Sequence, residues 1–87
     1  MRAKLKVLSV NDYSSKNAEG IIFKSSEAIQ FTAVCKSESY DDTGLDENNT
    51  YAKFTPTANL DIAITNPALF DKFLPGQQYY VDFTSAD

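Results

Sequence analysis

"ANLDIAITNPALFDKFLPGQQYYVDFT", residues 58–84, contains two strands and the corner that joins them. Leu60, Ile62 and Ile64 alternate with Asp61, Ala63 and Thr65, and this period of two predicts a strand with one apolar face over 58–65. Asn66 suits a helix N-cap, and Pro67 falls at the first helical position, where a missing N–H costs nothing. Ala68, Leu69, Phe70 and Phe73 then predict an amphipathic helix of one or two turns. Pro75-Gly76 has the chemistry of the two central positions of a type II turn. Residues 78–84 return as a strand, with Tyr79, Val81 and Phe83 inward and Tyr80 and Asp82 outward.

The upstream half repeats the alternation less cleanly. Ala3, Leu5 and Val7 share one face and Lys4 and Lys6 the other, so the chain opens on a strand with one wet face. After Val7 the apolar parity moves to Leu8 and Val10, which marks a bulge or the end of pairing. The polar run at 11–20 reads as a loop, residues 20–25 as a short strand, and 25–39 as a clearer one with Ile29, Phe31 and Ala33 on one face. "SESYDDTGLDENNT" (37–50) is polar and acidic and reads as a long loop or mobile tongue. "YAKFTP" (51–56) reads as a short strand that Pro56 ends. The whole is a single mostly β domain over 1–87. The expected form is a small antiparallel barrel of five or six strands, OB-like or related, with one short helix before the last strand.

Composition removes several kinds of chemistry. The chain has no histidine and a single cysteine, Cys35, so Ser-His-Asp and Cys-His pairs, an internal disulfide and thiolate metal clusters are all excluded. Cys35 itself reads as a part-buried structural thiol. The net charge of −4 disfavours general phosphate-backbone binding, which needs clustered Lys and Arg. "MRAKLKVLSV" lacks the apolar run of a secretory signal, and no window approaches the ~18 apolar residues of a membrane span. The expectation is a protein of the cytosol, and the Asn48-Asn49-Thr50 sequon then has no consequence.

Three groups of residues invite a functional reading, each beside a plainer one. Tyr40, Asp41, Asp42, Asp46 and Glu47 could dock a basic protein partner or mimic nucleic-acid phosphates; as a cation loop they lack the spacing of a calcium hand, and the plain reading is a solvated loop. Arg2, Lys4 and Lys6, with Tyr79 and Tyr80, could hold a nucleotide or a short single strand of nucleic acid; charges on a strand also protect an exposed edge. Phe70 and Phe73 could stack on a base, and more simply plug one end of the core. Adjacent carboxylates such as Asp41 and Asp42 have no fixed separation for acid–base work, so neither an enzyme nor a cofactor or metal is expected.

Residues 54–87, "FTPTANLDIAITNPALFDKFLPGQQYYVDFTSAD", with the opening "MRAKLKV" and the "FTAV" of 31–34, resemble a type of short open reading frame in tailed bacteriophages. Those proteins are of about this length, begin MRAK, and carry F-T-P-x-A-x-L, N-P-A and F-x-P-G-x-x-Y-Y-x-D-F towards the C-terminus. The resemblance implies a phage source and a small β-rich domain, and brings no catalytic or binding residue with it. It suggests a non-enzymatic assembly or protein-interaction module, either a virion accessory or host-directed, in the host cytoplasm or the virion. Self-association or a protein partner is then expected, with no membrane. The alternatives are a binder of nucleotides or short single strands, and an acidic mimic that inhibits a host DNA-binding protein.

Overall fold

Alternation in the sequence becomes four antiparallel strands in one open sheet. In the computed structural model, which describes residues 1–87, β1 is Arg2–Lys16, β2 Ile22–Ala33, β3 Asn59–Ile64 and β4 Gln78–Asp82. Their order across the sheet is β3-β2-β1-β4. β3 and β4 occupy opposite edges and do not pair, so the expected barrel of five or six strands is not formed. Residues 34–58 supply no strand to close it. The strand expected at 51–56 is reduced to a single bridge between Lys53 and Leu45, because Phe54 turns into the left-handed region at φ 64° and breaks the extended run.

The β1–β2 hairpin is longer than the sequence suggests. The bulge expected after Val7 is present: the register slips between Val7 and Ser9, which restores Val10 to the apolar face opposite Ile29. Pairing does not end there, however. It continues to Lys16 opposite Ile22, with a second slip between Tyr13 and Ser14, so the loop expected at 11–20 is mostly strand. The separate strands expected at 20–25 and 25–39 are one strand, β2. Asn17 makes the reversal, its side-chain oxygen accepting from the backbone N–H of Glu19 and Ile21.

The core lies on one face of the sheet and is thin. Ala3, Leu5 and Val7 of β1, Ile29 and Phe31 of β2 and Ile64 of β3 are its only buried apolar residues. Phe73 and Tyr79 meet Phe31 edge-on at 5.8 and 6.3 Å between ring centroids and cover one part. Tyr51 and Ala58 pack against the same cluster. The expected helix after β3 is only a 3₁₀ turn, Pro67–Leu69. Asn66 does cap it, accepting from the Ala68 N–H at 3.1 Å, but Phe70 is extended and Asp71 left-handed at φ 64°, so no second turn forms. Pro75-Gly76 turns as expected, with Gly76 at φ 91° and the Gln77 N–H bonding the Leu74 carbonyl at 3.1 Å.

Two numbers set the shape. The radius of gyration is 17.0 Å, where a compact chain of this length gives about 12 Å. The extents are 62 × 33 × 16 Å, with only one sheet and its partial cover across the shortest dimension. β4 pairs β1 only as far as Lys6, and β3 pairs β2 only as far as Glu27, so the distal hairpin, 11–26, has no strand on either side. It extends roughly 20 Å as a two-stranded arm.

Candidate functional site

The acidic loop is built around two carboxylates that serve the fold. Asp41 Oδ1 accepts from the Thr43 N–H at 2.9 Å, the Thr43 hydroxyl and the Gly44 N–H at 3.3 Å. Those bonds, led by the Thr43 hydroxyl, hold its carboxyl below the usual carboxylate range. Asp46 is buried. Burial alone would raise its carboxyl, but bonds from the Asn49 amide, the Tyr40 hydroxyl and two backbone N–H groups outweigh it, and the net effect is downward. Asn49 is fully buried and takes the place of a strand residue beside β1. Its Oδ1 accepts from the Lys4 N–H at 2.9 Å, and its Nδ2 donates to the Val34 carbonyl at 2.9 Å and to Asp46 at 3.2 Å. Thr50 continues the pairing with Arg2.

The loop is therefore anchored, and three of the residues expected to meet a partner are used internally. Tyr40 donates to Asp46 at 2.9 Å and stacks edge-on with Phe54, and burial pushes its hydroxyl pKa up. Asp42 and Glu47 remain exposed and free of intramolecular bonds. Glu47 borders a polar hollow of about 280 Å³ with Lys4, Cys35, Lys36, Glu38 and Asn48. Cys35 is exposed there, a correction to the part-buried thiol expected from sequence.

The basic strand and the C-terminal tyrosines come together only in part. Pairing sets Lys4 opposite Tyr80 and Arg2 opposite Asp82 on the outer face. Arg2 lies 4.7 Å from the Tyr80 ring centroid and Lys4 5.9 Å. Arg2 is also bound through two nitrogens to Asp82, at 2.8 and 3.2 Å. The Tyr80 hydroxyl donates to Asn48 at 3.1 Å. Lys6 stands opposite Gln78, beyond that cluster, and Tyr79 faces the core with Phe31 and Phe73.

Sequence reasoning missed a second charged cluster, on the core side. Lys24 Nζ lies 2.6 Å from Glu27 Oε2 and 3.1 Å from both Asp12 and Asp71, and 5.0 Å over the Phe70 ring. The Glu27 bond leads the effects that raise the Lys24 pKa. Glu27 is buried, and its Oε2 also accepts from the Asp71 N–H at 3.0 Å while Oε1 has no partner. The signal was present in the sequence, because Glu27 has the inward parity of Ile29 and Phe31. No group of three or more cysteine and carboxylate side chains is placed to hold a metal ion.

The arm is the other surface that was not anticipated. Every residue from Asn11 to Phe23 is exposed, including Tyr13 at 54%, Ile21 at 61%, Ile22 at 68% and Phe23 at 47%. Tyr13 and Phe23 share one face, since they lie opposite Ser26 and Ser15 in the ladder, and Ile22 lies on the other. Comparison with known proteins gives no match to a family model, a curated protein or a solved structure.

Proposed function

We propose that this chain is a non-enzymatic assembly or protein-interaction module whose principal contact surface is the arm, 11–26. The observation that supports it is the imbalance between core and surface. Six apolar residues are buried, while thirteen large hydrophobic ones are 41 to 68% exposed. The accessible surface is 6209 Å², against about 5,100 Å² for a compact monomer of this mass. The surplus of roughly 1,100 Å² is of the size that one partner contributes to a standard protein–protein interface, about 800 Å². A two-stranded ribbon is marginal alone in water, and a partner that covers Tyr13, Ile21, Ile22 and Phe23 supplies what the arm lacks.

The resemblance to tailed-phage reading frames makes a virion accessory, or a protein acting on a host component, the setting for this reading. Asp42 and Glu47 are the loop residues available for a partner contact. The alternative nucleotide or single-strand site is weakened by its own geometry, with Arg2 neutralised by Asp82 and Tyr79 turned to the core. The acidic mimic loses Asp41 and Asp46 to the loop's internal bonds.

Native mass spectrometry of the gently purified protein tests the reading. The expected result is a discrete oligomer or protein complex that loses a partner or falls to a smaller oligomer in an Ile22→Asp, Phe23→Asp variant whose circular dichroism is unchanged. A monomer carrying a small-molecule mass, or an assembly whose mass is the same in the arm variant as in the wild type, would overturn it.

A further inference from the structure

β3, the longer of the sheet's two edge strands, is an undefended edge. Its register with β2 is unbroken from Ile64 opposite Glu27 to Asn59 opposite Thr32, and no strand lies on its other side. Edge strands are commonly blunted by Lys, Pro, a bulge or a covering segment. β3 has no Lys, Pro or bulge, and its one charge is Asp61. The open edge of β1 in the arm, by contrast, carries Asp12 and Lys16. Leu60, Ile62 and Ile64 share the apolar face of β3; Ile62 remains 41% exposed although its neighbour on β2, Ile29, is 1% exposed.

We propose that two copies of this chain form a twofold dimer by antiparallel pairing of their β3 edges, giving one continuous eight-stranded sheet. The proposal rests on the assembly reading and names the partner for one of its surfaces. A second copy is singled out because the apolar spacing of Leu60, Ile62 and Ile64 reads the same in both directions. With Ile62 on the axis, it faces the partner subunit's Ile62, Leu60 faces the partner's Ile64, and Asp61 faces the partner's Ala63. A register one residue earlier would set Asp61 against the partner's Asp61, which like charges disfavour. In the Ile62 register the two Asp61 carboxylates are diagonal neighbours on the outer face, a weaker repulsion.

Sedimentation equilibrium of the full chain decides it. A reversible monomer–dimer equilibrium is expected. Ile62→Lys raises the dimer Kd about tenfold or more, because it sets like charges directly opposite each other, and Asp61→Asn tightens the dimer by roughly threefold. Hydrogen exchange gives a reading that needs no variant: amides of 60–64 that do not bond β2 gain protection as concentration rises. The Ile22→Asp, Phe23→Asp variant leaves this dimer intact. A chain still monomeric at about 500 µM, or a dimer unmoved by Ile62→Lys, overturns the β3 pairing. A dimer lost with the arm variant and kept with Ile62→Lys overturns it too, and leaves the assembly reading standing.

Discussion

At the scale of single residues, the acidic loop shows how misleading a charge run is when its residues are counted without their partners. Asp41 and Asp46 look alike in sequence as solvated acids, yet both accept several hydrogen bonds from their own loop. Their carboxyls, and that of Asp82 beside Arg2, are held below the usual carboxylate value. A lowered folded-state pKa stabilises the fold above the unfolded value and is lost as pH falls through the folded one. The urea midpoint should therefore hold near neutrality and drop as pH falls below the ordinary Asp value of about 4, as these carboxylates protonate. Asp46→Asn should lower the neutral-pH midpoint and flatten part of that drop. An unchanged acid slope in Asp46→Asn would mean that the loop's stability does not depend on this carboxylate. Asn49 could not have been found by composition at all, since only its position beside Lys4 and Val34 shows what it replaces.

At the scale of elements, what was legible is what is decided locally. Alternation at Leu60, Ile62 and Ile64, the parity slip after Val7, the Asn66 cap and the Pro75-Gly76 turn all depend on a few neighbouring residues, and all are found. The helix after β3 failed for a non-local reason. The Asp71 N–H donates to Glu27, 44 residues away, and Asp71 takes a left-handed conformation that ends the turn. The arm was missed because Asn11 to Lys16 has no apolar alternation, and a strand wet on both faces leaves none to read. Closure failed for the same kind of reason, because which edges meet is not written in any single strand. Gly76 gives the element-scale test. At φ 91°, with open space where a Cβ would stand, Gly76→Ala meets no clash and carries only the backbone penalty. The expected loss is about 1 kcal/mol in urea unfolding. A loss of several times that would mean that the turn has contacts beyond its backbone conformation.

At the scale of the whole molecule, the sign of a salt effect separates the two surviving kinds of function. The chain carries a net charge of −4, so two copies repel before they touch. Contacts made by the apolar side chains of the arm and by the β3 edge are not salt-dependent to first order, and added salt screens only the repulsion. Self-association should therefore tighten severalfold between about 50 and about 500 mM NaCl, and the thermal midpoint should rise with protein concentration, as mass action requires for any state that binds only when folded. A site for a nucleotide or single strand behaves oppositely, because cations that neutralise phosphates release counterions and salt weakens the complex. Arg2 is already paired with Asp82, which leaves Lys4 and Lys6 to carry such binding alone. Sedimentation across a salt series thus reads the reason for association as well as its strength. Tightening with salt fits an acidic chain that meets itself through apolar edges, and weakening with salt would return the argument to Lys4, Lys6 and Tyr80.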